Sequence, residues 1–153
     1  MVNLSRAQRL QIMTLVTLTT VVQLMLEEVE LTVNAQRARK RIERQVRGLL
    51  AGMPKYGGRS LKRLVTATNR VWGVQGQRSV DAVTMLNLSL YLVEEVRAKL
   101  RDAGRRPLDY APWTRLAGSI FTLLGHIGDQ WIDPSDLHQV EAVELAETIK
   151  RAA

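Results

Sequence analysis

The feature that most restricts the fold is the absence of helix-breaking residues from the start of the chain. Neither glycine nor proline occurs before Gly48, and these two residues interrupt an α-helix most strongly. Ser5 and Gln8 have the spacing of a capping box, in which each side chain accepts a hydrogen bond from the other residue's backbone N–H. The sequence therefore predicts one long N-terminal helix that begins at Ser5 and occupies most of residues 1–52.

Such a helix is long for a chain of 153 residues. At about 1.5 Å per residue, a helix of roughly 45 residues spans about 65 Å, whereas a compact chain of this length has a radius of gyration of about 15 Å. Two arrangements stay open at this point. The helix bends near Thr32–Gln36, or its end projects toward a partner.

The rest of the chain also has helical periodicity, and no run alternates with the period of two that a β-strand shows. Gly104 lies where a left-handed C-cap fits, and Asp133 and Pro134 form a typical helix start. We therefore expect an all-α protein of about five helices: a single domain over residues 1–153, with the long helix in 1–52 and a helical bundle in 59–153. The later helices are expected at Ser60–Trp72, Ser79–Ala103, Pro112–Leu124 and Asp133–Arg151.

Residues 10–26 carry no charge and raise the question of a membrane span. Their seventeen residues lie at the lower limit for a span and include four threonines and two glutamines. Burial against other helices is favoured over a membrane-inserting helix, which stays the weaker alternative. Residues at spacings of three and four form a seam that we expect to mediate self-association: Leu15, Leu18, Val22, Met25 and Val29.

Charge is concentrated in the middle of the chain. The formal net charge is +7 and the pI is near 10.4. Between Arg37 and Arg78 there are twelve basic residues and one acid, whereas the remainder has ten basic and fourteen acidic residues. This asymmetry is typical of an anion-binding zone.

The first part of the basic zone predicts an amphipathic helix. At about 100° per residue, the basic residues that follow Arg37 at spacings of three and four share one side. Ile42 and Val46 fall on the opposite side, Glu43 borders the basic side, and Arg39 lies behind the apolar one. The basic side consists of Arg37, Lys40, Arg41, Arg44 and Arg47.

The predicted second helix repeats this arrangement beyond the glycine-rich loop GMPKYGG. If the two helices pack by their apolar sides, their basic sides join into one patch. The second set of predicted nucleic-acid-binding residues is Arg59, Lys62, Arg63 and Arg70.

Three partners for the basic zone stay open: a nucleic-acid backbone, an acidic face of another subunit, and an anionic membrane surface. A fourth interpretation is that the basic zone faces solvent and binds no partner. The chain has seventeen arginines and five lysines. This excess favours binding of phosphate or carboxylate, because the planar guanidinium group donates paired hydrogen bonds to these anions. Aromatic residues are few, and the turn between the basic helices is too long for a helix-turn-helix. For DNA or RNA we therefore expect phosphate contacts with little sequence readout.

No constellation of residues indicates catalysis. The two histidines, His126 and His138, lack the paired carboxylate partners of a metal site, and no nucleophile motif or phosphate-binding loop occurs. The chain has no cysteine, which excludes a thiolate metal site and a disulfide framework. We expect no enzyme activity, no metal and no cofactor.

The predicted function is that of a helical assembly subunit, of a virion or nucleoprotein type, that associates with itself and contacts DNA or RNA phosphates. No signal-peptide cleavage pattern follows the N-terminal apolar run, so the expected location is the cytoplasm or an assembled particle. The first alternative is a homo-oligomeric scaffold whose arginines pair with acids of neighbouring subunits, and the second is a small membrane-inserting protein that uses residues 10–26. The acids of the scaffold alternative are Glu27, Glu28, Glu30, Glu94 and Glu95.

Overall fold

A computed structural model describes residues 5–28, 30–52, 66, 82–128 and 135–152. This part of the chain is helical and contains no β-strand, so the all-α prediction is confirmed there. The predicted helix Ser60–Trp72 lies outside the described residues except for residue 66, which is helical. The cap residues Ser79, Asp133 and Pro134 also lie outside them. The helices are α1 (Arg6–Glu28), α2 (Val33–Gly52), α3 (Ala82–Asp102), α4 (Ala111–Gly128) and α5 (Ser135–Ala152).

The N-terminal segment expected as one helix contains two. Residues 30–32 belong to neither α1 nor α2. Thr32 caps α2, since its Oγ1 accepts a hydrogen bond from the Ala35 N–H at 3.2 Å and its carbonyl accepts one from the Gln36 N–H at 2.9 Å. A capping threonine satisfies backbone donors that an interrupted helix would leave unpaired. The division falls at the edge of Thr32–Gln36, and α1 and α2 pack against each other.

Both predicted helix caps that fall on described residues are present. At the start of α1, the Ser5 N–H donates to Gln8 Oε1 at 2.9 Å and the Gln8 N–H donates to Ser5 Oγ at 3.2 Å. At the end of α3, Gly104 has a φ of 78°. The Gly104 N–H bonds the Arg101 carbonyl and the Arg105 N–H bonds the Leu100 carbonyl, each at 3.0 Å. These two bonds form a Schellman motif, which needs the left-handed residue that glycine supplies.

The fourth helix is longer than predicted. The sequence indicates an end at Leu124, before Gly125, whereas α4 continues to Gly128. Leu123 and Ile127 are both fully buried, so packing of this face extends past Gly125. Burial of two large side chains outweighs the roughly 1 kcal/mol that a glycine costs inside a helix.

Four helices form a closed ring in which α1 contacts α2, α2 contacts α4, α4 contacts α3, and α3 contacts α1. The fifth helix, α5, lies against α3 and touches α1. Helix α3 therefore has neighbours on three sides, and most of its residues between Ala82 and Val96 are buried. The largest side chains with almost no exposure are Leu10, Met13, Leu15, Leu18, Met25, Ile42, Leu86, Leu88, Leu92, Leu116, Ile120 and Leu123.

The seam predicted for self-association lies inside the chain. Four of its residues are buried against the chain's own helices, whereas the side chain of Val29 lies outside the described residues. The folded monomer thus already covers this surface, so self-association through the seam would require α1 to separate from its neighbours. The four buried residues are Leu15, Leu18, Val22 and Met25.

Three of the four threonines of α1 form hydrogen bonds with the helix itself, whereas the buried Thr17 hydroxyl has no partner among the described residues. The hydroxyls of Thr14, Thr19 and Thr20 donate to the carbonyls four residues earlier, at 2.7, 3.0 and 3.2 Å. Such bonds let threonine lie on a packed helix without an external partner. None of the helices that the structure describes combines the length and the apolar character needed to cross a membrane.

Candidate polyanion-binding face

Helix α2 has two sides of opposite character. Its buried side, which includes Ala35, Ala38, Ile42 and Val46, faces α4 and α1. Its other side is exposed to solvent along the helix, as the spacing of the basic residues predicts. We call this side the cationic face of α2; its residues are Arg37, Lys40, Arg41, Arg44 and Arg47.

Most of the charge on the cationic face is not neutralised by acids. Arg47 forms an ion pair with Glu43, with 2.8 Å between Nη2 and Oε1. The other four residues make no ion pair or hydrogen bond from their side chains within the part of the chain that the structure describes. Like charges at helical spacings of three and four destabilise a helix slightly unless an anion lies beside them. The four residues with no such partner among the described residues are Arg37, Lys40, Arg41 and Arg44.

Arg39 is a buried cation whose role the sequence did not reveal. Its side chain is only 8% exposed. Its Nε donates to Gln36 Oε1 at 3.0 Å, and its Nη1 lies 3.3 Å from Glu43 Oε2. Glu43 therefore bridges Arg39 and Arg47. This one acid of the basic zone pairs with a buried cation and also neutralises an exposed one. A buried guanidinium needs such partners, since an unpaired buried charge is costly.

The cationic face borders a trough on the surface of α2. The cationic side chains and Glu43 surround this trough, which has a volume of about 600 Å³. All of its described lining residues come from α2. Exposed guanidinium and ammonium groups along one helix side can hold an extended anion by charge and hydrogen bonds.

The predicted basic residues of the second helix, Arg59, Lys62, Arg63 and Arg70, lie outside the described residues. Whether they join the cationic face of α2 therefore stays a prediction. The side chain of His138 is also outside the described part. His126 lies on α4, and the described residues include no group of three His, Asp or Glu side chains that could hold a metal ion.

No family model, curated protein or solved structure matches the chain. Function is therefore inferred from the side chains of this molecule alone.

One exposed aromatic residue was not singled out in the sequence. Phe121 on α4 is 68% exposed. Gly118 and Gly125, which are its neighbours three and four residues away on the same side of the helix, are exposed as well. Spacing alone could not identify Phe121 as exposed, because α4 is apolar over most of its circumference and either side could have faced the core.

Proposed function

We propose that this protein is a non-enzymatic nucleic-acid-binding protein that holds the phosphate backbone with the cationic face of α2. The observation that carries the proposal is a set of four basic side chains along one exposed helix side, which have no acidic partner among the described residues. Neutralising phosphates with such side chains releases condensed counterions, and this release drives binding without reading the sequence.

The dimensions of the cationic face fit a nucleic-acid duplex. The eleven residues from Arg37 to Arg47 span about 15 Å along the helix axis. One strand of a duplex places a phosphate about every 3.4 Å along its axis, so this length matches four or five phosphates. An α-helix of about 10–12 Å diameter also fits the major groove of B-DNA, which is about 12 Å wide.

The acids that would support the competing subunit contacts are partly engaged within the chain. Glu94 pairs with Arg97 at 2.7 Å, and Glu95 lies 3.8 Å from Lys99 and 3.5 Å from Lys150. These two carboxylates are therefore less available to arginines of another subunit. This engagement favours phosphate over a neighbouring acidic face as the anion bound by α2.

The direct test is binding of a fluorescently labelled duplex DNA by nuclease-treated protein, followed by fluorescence anisotropy. The double variant R41Q/R44Q removes two exposed charges from the centre of the face. We expect it to weaken binding on the order of 10- to 100-fold at about 0.1 M salt, because each lost phosphate contact removes one counterion-release contribution.

The matched control is R101Q/R105Q, which removes the same charge from exposed positions at the end of α3. It should weaken binding far less than R41Q/R44Q. Equal weakening by the two variants would show that only net charge matters, and absence of binding by the wild-type protein would overturn the proposed function.

A homo-oligomeric scaffold is the second candidate, and the exposure of Phe121 favours it. A large aromatic side chain that is 68% exposed is a common anchor of protein–protein contacts. Light scattering of the nuclease-treated protein separates the two candidates. A mass that rises with protein concentration and falls in F121S supports the scaffold, whereas a constant monomer mass opposes it.

A further inference from the structure

A second basic site lies at one end of the bundle and shares no described residue with the cationic face of α2. The start of α1 meets the ends of α3 and α5 around a cleft of about 280 Å³. Its described walls come from these three helices. Its lining residues are Arg6, Leu10, Lys99, Glu147, Lys150 and Arg151.

The lysines of this cleft are held in place by acids. Lys150 Nζ lies 3.1 Å from Glu147 Oε1 and 3.5 Å from Glu95 Oε2, and Lys99 Nζ lies 3.8 Å from Glu95 Oε1. The hydrogen bond that Lys150 donates to Glu147 raises the pKa of the Lys150 ammonium group above its usual value.

The arginines of the cleft are not neutralised. Arg151 donates from Nε to the backbone carbonyl of Glu147 at 3.2 Å. Neither Arg6 nor Arg151 forms an ion pair within the described residues. Among the described side chains, four cations therefore face two carboxylates, Glu95 and Glu147. The two positive charges that are left lie beside the positive end of the α1 dipole and the negative ends of the α3 and α5 dipoles.

We propose that this cleft binds the phosphoryl group of a small soluble ligand, with Arg6 and Arg151 as the main anion contacts. Two guanidinium groups match a dianion in charge and offer paired donors to its oxygens. Lys99 and Lys150 lie beside these arginines, with their charge offset by Glu95 and Glu147. A cleft of about 280 Å³ has room for a small phosphate ester.

The probe is inorganic pyrophosphate, titrated into the full chain by calorimetry at an ionic strength kept constant with NaCl. We expect saturable binding that R6Q/R151Q weakens at least 10-fold, which corresponds to about 1.4 kcal/mol. The matched control R41Q/R44Q, which loses the same charge from α2, should stay within about twofold of wild type, a change of about 0.4 kcal/mol. Absence of saturable binding, or equal weakening by both variants, overturns the proposal.

A variant that gains affinity excludes misfolding as the cause of these effects. E147Q removes a negative charge from the cleft and should tighten pyrophosphate binding; weaker binding would count against the site.

A second experiment measures cosedimentation of the protein with phosphatidylcholine vesicles that contain or lack phosphatidic acid. Cosedimentation that depends on Arg6 and Arg151 would assign the phosphoryl group to a lipid and overturn a soluble ligand. Because the duplex test uses α2, failure at either site leaves the other result unaffected.

Discussion

Among single residues, Glu43 links the packing of α2 to the charge of its exposed side. One carboxylate oxygen lies 3.3 Å from the buried Arg39 and the other lies 2.8 Å from the exposed Arg47. The first contact satisfies a guanidinium that has little access to water. The second neutralises one of the five cations on the cationic face. The Glu43 carboxylate therefore stabilises the fold through Arg39 but reduces the positive charge available for anion binding through Arg47.

We predict that Glu43→Gln lowers stability and strengthens duplex binding at the same time. Loss of the carboxylate leaves Arg39 with a weaker acceptor, and because Glu43 is 39% exposed the cost should be only about 1 kcal/mol. Arg47 is freed for a phosphate, so the dissociation constant should fall severalfold. Urea denaturation and fluorescence anisotropy measure the two effects.

The control for this prediction is Glu94→Gln, which makes the same charge change on α3, where Glu94 pairs with the partly exposed Arg97. It should change stability by less than about 0.5 kcal/mol and duplex binding little. If E43Q left duplex binding no tighter than E94Q does, Arg47 would not be part of the binding face.

Residues on the exposed side of α2 could be predicted from sequence, because helical spacing fixes which side chains share a side once one side is apolar. The burial of Arg39 could not be predicted in the same way. The sequence placed Arg39 behind the apolar side of the helix, but a charged residue at such a position is buried only if a neighbouring segment covers it. The burial of Arg39 therefore depends on how α2 packs against other helices, which the local sequence does not record.

At the scale of whole helices, two glycines give a matched pair of substitutions: Gly104, which follows the end of α3, and Gly118, which lies inside α4. Gly104→Ala should lower the free energy of unfolding by about 1 kcal/mol, since its φ of 78° is strained for any residue with a Cβ. Gly118→Ala should raise it by up to about 1 kcal/mol, because an added Cβ meets open space inside an exposed helix turn. Urea denaturation measures both, and effects of the same sign would contradict the assigned helix end.

Helix starts and ends were predicted where a side chain or a glycine specifies them locally. The capping box at Ser5 and Gln8 and the glycine cap at Gly104 are of this kind. The division between α1 and α2 was harder to predict, since Thr32 is compatible with a helix interior as well as with a cap. There the choice depends on α1 and α2 packing together as two shorter helices, which no local pattern records.

For the whole molecule, the sequence correctly indicated that α1 is buried but left open what covers it. The structure places α2, α3 and α5 around α1 within one chain. The apolar seam of α1 that was predicted to mediate self-association is therefore largely buried inside the monomer. Among the described aromatic residues, Phe121 is the most exposed and thus the most suited to a contact between copies. Apolar spacing could not make this distinction, because a helix packed in its own chain and one packed in an oligomer have the same pattern.

The most direct measurement is the salt dependence of duplex binding by the nuclease-treated wild-type protein. If four or five cations of α2 contact phosphates, the logarithm of the association constant should fall with the logarithm of salt concentration at a slope of about −3.6 to −4.5. In R41Q/R44Q the slope should become shallower by about 1.8. A slope near zero, or one that the double variant leaves unchanged, would contradict phosphate binding by the cationic face of α2.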